Sequence, residues 1–202
     1  RSSDLYKKIN GNIANRPGLK RRGTADSSLA GVDSEYVWNT SWGTVYPMWV
    51  ANGKLQVEIN TGSSYQWVTI GTSSQTRWVF DAWWDNTLKK NKVIACNGTS
   101  NLYSWAGGVT TIASTTVNTI TKTGTATWAQ DHFEGATGSV VINGTTYSYT
   151  GGTGTTTLTG VTPNPTGEAN GSYVVSSFTT TASSPASGFS SDFLKVDRKS
   201  VV

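Results

Sequence analysis

Short apolar runs separated by turn residues recur along the middle of this chain. In the run 54–59, apolar and polar residues alternate, which predicts a strand with one buried and one solvated face. The polar set of that run, which we expect to face solvent, is Lys54, Gln56 and Glu58. Similar runs begin at intervals of roughly ten residues, the spacing that is typical of a sandwich, barrel or propeller.

Four runs after residue 77 predict consecutive antiparallel strands. They span 78–84, 93–96, 102–105 and 109–113. Four such strands in sequence form one propeller blade, or part of a barrel or sandwich. Asparagine–glycine pairs accept the positive φ of tight two-residue turns, and we assign structural turns to Asn52-Gly53, Asn97-Gly98 and Asn143-Gly144. We predict an all-β fold in which an incomplete, propeller-like meander body carries a small inserted β-hairpin module.

One segment of the chain predicts a helix. Thr127 and Gln130 have the spacing of a capping box, in which a hydroxyl and an amide three residues apart bond the first free N–H groups of a helix. We expect one or two helical turns from this point, ending before Gly135.

The composition agrees with a folded all-β chain. Charged residues make up 14% and aromatic residues 11% of the chain, whereas disordered segments are poor in aromatics. No apolar run approaches the roughly 18 residues of a membrane-spanning helix. Cys96 is the single cysteine, so an intrachain disulfide is excluded, and its apolar surroundings predict a small buried hydrophobe.

Positive charge is concentrated near the beginning of the chain. Six lysine and arginine residues and no acid lie in 7–22. Nucleic acid binding would use such a run, but the run lacks interleaved aromatic residues and any binding motif. We expect a solvated or partner-contacting arm.

These patterns divide the chain. We expect a basic extended segment at 6–35, a β-meander body at 36–114, an inserted module at 115–178, and a loop with the start of a further strand at 179–196. Codons for 1–5 and 197–202 can match the two senses of one common sequencing adapter, so we expect both ends to be artefacts that flank an internal fragment. The strands of the module are close in sequence, which favours independent folding.

Residues with catalytic chemistry form no recognisable motif. His132 is the single histidine, and neither a nucleophile motif nor the ligand spacing of a metal site accompanies it. The carboxylates that could in principle supply the acid pair of a glycosidase are Glu58, Asp81, Asp85, Glu134 and Glu168. Nothing in their spacing selects two of them. We therefore predict no catalytic residue, no metal and no cofactor.

The nine tryptophans are the main alternative source of function. Most of them are needed to fill the core of a chain that is poor in leucine, isoleucine and phenylalanine. Trp83 and Trp84 are adjacent in a predicted strand, so their rings point to opposite faces and at least one is expected at the surface. Exposed tryptophans form flat apolar platforms with a polar edge, and we assign these two as candidate glycan contacts.

Three segments carry a resemblance to a known class of proteins. They are WWDNTLKK (83–90), NGTSNLYSWAGG (97–108) and GSVVINGTTYSYTGGTGTTTLTGVTP (138–163). The chain resembles β-rich structural proteins of tailed bacteriophages, and 115–178 resembles a small β module that recurs in phage tail and adhesin proteins. That module often continues into a Thr-Arg-Gly turn, whereas this chain has Thr162-Pro163-Asn164.

The resemblance implies a structural role without catalysis. We expect a component of the virion tail, neck or fibre, assembled in the host cytoplasm, with other virion proteins or copies of itself as partners. The alternative is a β module that binds carbohydrate or a host receptor, with a host surface glycan as partner. A third hypothesis is a fragment of a carbohydrate-active enzyme. We expect neither nucleic acid binding nor a membrane span.

Overall fold

The structure is a computed structural model that describes residues 5–7, 13–15, 32–72, 74, 78–86, 89–97 and 102–180. Its secondary structure in this part consists of strands and turns with no helix, so the all-β prediction is confirmed. Two short strands, β1 (Leu5–Lys7) and β2 (Ile13–Asn15), pair antiparallel within the basic segment. The predictions for the chain ends, for most of 6–31 and for 181–196 lie outside the described residues.

Two four-stranded antiparallel sheets with a shared core form the larger part of the fold. The first is a meander of β3 (Ser34–Asn39), β4 (Val45–Ala51), β5 (Lys54–Asn60) and β6 (Tyr65–Thr72). The second begins with β7 (Val79–Asp85), β8 (Lys90–Cys96) and β9 (Tyr103–Trp105). Successive four-stranded sheets are the units of a propeller, and this architecture is consistent with the predicted propeller-like body.

After β9 the chain forms a separate six-stranded sheet, which we call the insert (109–176). Its strands are β10 (Val109–Thr115), β11 (Thr119–Lys122), β12 (Gly138–Ile142), β13 (Thr145–Tyr149), β14 (Thr157–Thr159) and β15 (Tyr173–Ser176), in the order β13-β12-β15-β10-β11-β14. Bridges from Ser148 to Thr162 and from Gly151 to Thr159 bring the two ends of the sheet together. The sheet therefore curls into a half-barrel.

The chain then returns to the second sheet. The last strand, β16 (Thr179–Thr180), pairs antiparallel with β9 and completes four strands. We call 32–105 together with 179–180 the body. The insert thus interrupts the second sheet between its third and fourth strands.

The predicted strand at 109–113 does not continue the meander. Gly107 has a φ of 86°, and this left-handed residue turns the chain away from β9. Strand β10 instead pairs with β11 and β15, while β16 occupies the edge of β9. The boundary between the body and the insert therefore lies at 106–108, earlier than the predicted one after residue 114.

The helix predicted after Thr127 is wrong. The capping bonds are present: Thr127 N–H donates to Gln130 Oε1 at 2.7 Å, and Gln130 N–H donates to Thr127 Oγ1 at 3.2 Å. However, His132 has a φ of 68°, which is incompatible with a right-handed helix. The segment forms a series of turns that ends at Gly135, where φ is 81°.

Two clusters of buried side chains stabilise the two parts. One lies between the body sheets and the outer face of the insert, and the other lies inside the curled insert sheet. Of the nine tryptophans, those that are buried are Trp38, Trp78, Trp105 and Trp128. Three more are half-buried and two are exposed, so tryptophan contributes to the cores and also to the surface. Cys96, predicted to be buried, is half-buried at the end of β8.

The prediction of a solvated polar face on β5 is wrong for two of its three residues. Gln56 and Glu58 are buried, with 2% and 6% of their surfaces exposed. The rings of Trp49 on β4 and Trp67 on β6 stack across β5, with centroids 3.7 Å apart. Gln56 is bonded beneath them, because Trp49 Nε1 donates to its Oε1 at 2.6 Å. Aromatic rings therefore cover this face of β5, which was predicted to contact solvent.

Positive φ occurs at two of the three predicted asparagine–glycine turns. The φ angles are 50° and 72° at Asn52 and Gly53, and 49° and 85° at Asn143 and Gly144. Both pairs have the signs of a type I′ hairpin turn. For the third pair, Gly98 lies outside the described residues.

Candidate functional site

Charged and aromatic side chains of the body and the insert meet at one place. Four segments form it: the loop 40–44 after β3, the end of β7, the start of β8 at 90–92, and the turn 128–135 of the insert. Its side chains are Trp42, Asp85, Lys90, Lys92, His132 and Glu134. We call this set the junction cluster.

The turn of the insert presents two of these side chains to the body. Trp128 and Phe133 are buried in the insert with ring centroids 4.7 Å apart, and Phe133 N–H donates to Trp128 O at 3.0 Å. The two rings anchor the turn in the insert core. His132 and Glu134 flank Phe133 in sequence and contact the body instead.

Strands β7 and β8 place the partners of Glu134 on one face of the second sheet. The register pairs Asp85 with Lys90 and Trp83 with Lys92, so these four side chains share a face. Lys92 Nζ lies 2.8 Å from Glu134 Oε2 and 2.9 Å from Asp85 Oδ2. Lys90 Nζ lies 3.4 Å from Glu134 Oε1. The two ion pairs of Glu134 join the insert to the body, whereas the pair of Lys92 with Asp85 lies within the body.

His132 lies between the ring of Trp42 and the amino group of Lys90. Its ring stacks on that of Trp42, with centroids 3.8 Å apart and an interplanar angle of 16°. Lys90 Nζ lies 3.3 Å from His132 Nδ1. An ammonium group has only donors, so a charged Lys90 donates this bond to Nδ1 of a neutral imidazole. Burial lowers the pKa of His132, and the charge of Lys90 lowers it further.

The pKa values of the two lysines are shifted in opposite directions. Burial lowers the pKa of Lys90, although the charge of Glu134 opposes this effect. For Lys92, burial also acts to lower the pKa, but the hydrogen bonds to Glu134 and Asp85 outweigh it and raise the pKa. Lys92 is therefore the charged centre of the cluster.

Asn91, between the two lysines, ties the same strand to the first sheet. Ser41 N–H donates to Asn91 Oδ1 at 2.7 Å, and Asn91 Nδ2 donates to Asn39 O at 2.9 Å. The start of β8 is thus bonded both to the first sheet and to the insert. It therefore connects the first sheet, the second sheet and the insert.

This geometry is that of a structural ion-pair cluster. Of the five carboxylates considered from the sequence, the cluster contains Asp85 and Glu134, and both bind the same ammonium group. The acid pair of a glycosidase flanks an open space for the sugar. Here Lys92 lies between the two carboxylates and pairs with both.

The other three carboxylates lie elsewhere. Glu168 accepts hydrogen bonds from Tyr147 Oη at 2.6 Å and from Asn143 Nδ2 at 2.7 Å, which brace the β12–β13 turn. Asp81 Oδ1 accepts from the N–H of the next residue in β7 at 2.7 Å. Glu58 is buried under the aromatic rings of the first sheet.

The candidate glycan contacts Trp83 and Trp84 are both at the surface. Their exposed fractions are 54% and 46%. They lie on β7, an edge strand of the second sheet, and they point to opposite faces. Because Trp83 is the register partner of Lys92, its ring lies beside the junction cluster.

The lysines of the cluster and the stacked pair Trp49 and Trp67 are not among the functional residues predicted from the sequence. A signal for the lysines was present, since Lys90 and Lys92 alternate at the start of a strand and therefore share a face. The stacked tryptophans come from strands on either side of β5. Only the pairing of all three strands brings their rings together.

Within the ranges that the structure describes, no group of three or more histidine, cysteine or acidic side chains is placed to hold a metal ion. The same residues contain no helix with the length and apolar character needed to cross a membrane. Comparison with protein-family models, with curated proteins and with solved structures found no match to this chain.

Proposed function

We propose that this chain is a non-enzymatic structural component of a bacteriophage virion, in a tail, neck or fibre. The observation that carries the proposal is the junction cluster, in which Lys92 binds both Asp85 and Glu134. Glu134 connects the insert to the body through Lys90 and Lys92, and Asp85 pairs with the same Lys92 within the body. Their use is cohesion between two parts of a fold and not chemistry on a substrate.

The edge of the second sheet supports an assembly role. Strand β7 lies at that edge and carries the exposed Trp83 and Trp84. Sheet edges and exposed aromatic side chains favour pairing with further strands or subunits. We therefore infer that another virion protein or a second copy of the chain covers this edge in the virion.

The resemblance of 83–90, 97–108 and 138–163 to segments of phage structural proteins supports the same function. The DNA that flanks the coding sequence provides the direct test. We expect portal, capsid or tail genes on either side. Flanking genes for polysaccharide degradation or metabolism, without phage structural genes, would contradict the proposal.

A hydrolysis assay tests the absence of catalysis. The full chain is incubated with a panel of chromogenic glycosides and polysaccharides, and we expect no turnover above buffer. Turnover that Glu134→Gln abolishes would show that the junction cluster is an active site. The control is Glu168→Gln, which alters a carboxylate outside the cluster.

A second candidate function is binding of a carbohydrate or host receptor, favoured by the exposure of both Trp83 and Trp84. Binding to a glycan array that Trp83→Ala or Trp84→Ala abolishes would support it. Trp67→Ala is a control on the other sheet. The absence of binding by the unmodified chain would remove this candidate.

A further inference from the structure

We propose that a cleft between the body and the insert binds a neutral carbohydrate, with a sugar ring held against aromatic side chains. The cleft has a volume of about 450 Å³, within the roughly 300–1,000 Å³ of small-molecule sites. It lies where the end of β6, strands β9 and β16, and the hairpin β12–β13 approach one another. It is separate from the junction cluster, none of whose side chains lines it.

The walls of the cleft determine the charge of its ligand. None of the described residues that line it is acidic, basic or a histidine. The described lining thus offers no countercharge to a phosphate, carboxylate or amine ligand, whose hydration would be lost on binding. An uncharged ligand needs no countercharge.

One side of the cleft is aromatic. Tyr103 and Phe178 line it and are half-buried, so each ring retains exposed surface. Their centroids are 6.5 Å apart, and Trp78 packs behind Tyr103 at 5.0 Å. Because β9 and the segment after β15 hold these rings, the surface is formed before any ligand binds. The apolar face of a sugar ring packs well on such a surface.

The lining also supplies hydroxyl groups. Ser139 and Thr146 come from the two strands of the β12–β13 hairpin, and Ser177 precedes Phe178 in the chain. Neutral hydroxyls beside aromatic rings match the chemistry of an uncharged sugar.

The test uses the full chain on a glycan array that carries neutral and acidic oligosaccharides. We expect binding to a subset of the neutral ones. Thr146→Trp fills the cleft from an exposed strand position and should weaken binding at least about tenfold. The matched control, Thr145→Trp, changes the neighbouring exposed threonine on the opposite face of β13 and should leave binding within about twofold.

Three results would overturn the proposal. They are no saturable binding to any neutral glycan, a preference for acidic glycans, and undiminished binding by Thr146→Trp. A measurement on the unmodified chain is independent of how the variants fold. The chain is titrated with the neutral oligosaccharide that it binds most strongly on the array. In nuclear magnetic resonance spectra, the amide signals of Thr146 and Ser177 should shift. Shifts confined to the indoles of Trp83 and Trp84 would locate binding at the sheet edge and contradict the cleft.

Discussion

The body and the insert are both antiparallel β-structures, yet they complete their sheets in different ways. The second body sheet obtains its fourth strand from beyond the insert, as Thr179 bonds Ser104 across 75 positions of sequence. The insert also pairs strands that are distant in sequence, such as β10 with β15, but every partner lies within the insert, and the bridge from Ser148 to Thr162 joins its sheet ends. Its core lies inside its own curled sheet. The body leaves an exposed edge at β7.

This difference shows that the strand pattern alone does not determine whether a region is self-sufficient. What matters is whether the last strand finds a partner within the same region. We therefore expect the insert to be the more independent unit, and the body to depend on contacts with the insert and with further strands.

The largest expected effect comes from the insert core. Trp128→Ala should lower the free energy of unfolding of the insert by about 3–5 kcal/mol, as a large buried ring is lost. Trp128→Phe should cost less, because the indole N–H has no hydrogen bond to lose within the described residues. Hydrogen exchange at increasing denaturant concentration measures the free energy of unfolding of each region separately. An equal loss of protection in the body would contradict the independence of the insert.

The next effect concerns the connection between the regions. Glu134→Gln should cost about 1.5–3 kcal/mol, the range for a hydrogen bond to a charged group, since Glu134 binds Lys92. A double-mutant cycle with Lys92→Met should show that the two changes are not additive. The control is Asp131→Asn, which weakens an ion pair to Lys122 inside the insert. Additivity in the first cycle would show that the junction cluster does not couple the two parts.

The hairpin turn of the insert gives a comparable or smaller effect. Gly144→Val should destabilise the insert by about 1–3 kcal/mol, because a β-branched residue is strained at a φ of 85°. A steric clash is not the cause of this destabilisation, since a Cβ added at Gly144 would meet nothing within 4 Å. Gly154→Val is the matched control, because that glycine has equal space and no positive φ. Equal destabilisation by both changes would contradict the assignment of strain.

The smallest effect is a pH dependence. The pKa of His132 is lowered in the fold from its ordinary 6.5, so the unfolded chain binds the proton more readily. Stability is therefore complete above about pH 6.5 and falls as the pH decreases toward the lowered pKa. His132→Gln should remove this part of the slope below about pH 6.5. An unchanged slope in the variant would assign the dependence to other groups.

The elements that sequence predicted best are those governed by local pattern. Alternation in 54–59 and the turn at Asn52-Gly53 locate β4 and β5 because both signals act within a few residues. The capping bonds of Thr127 also form, yet the helix does not. Nearby packing of Trp128 on Phe133 sets a turn in which His132 takes a positive φ. A local signal is thus overridden by tertiary packing.

The features that sequence missed are non-local. Nothing near Gly107 in sequence shows that β16, and not β10, occupies the edge of β9. Similarly, Glu134 and Lys92 are far apart along the chain, and their ion pair exists only because the insert packs on β8. The candidate site was therefore predictable as residue types, such as the strand-borne Trp83, but not as an arrangement.

Native-state hydrogen exchange of the full chain tests the two-part account most directly. The account predicts the slowest exchange at amides of the insert strands, such as Leu158 and Val174, which bond within a sheet around its own core. Amides of β7, at the edge of the body, should exchange faster. Their exchange rates should also depend on denaturant concentration differently from those of the insert. Uniform exchange across both regions, or slower exchange in β7 than in the insert, would contradict it.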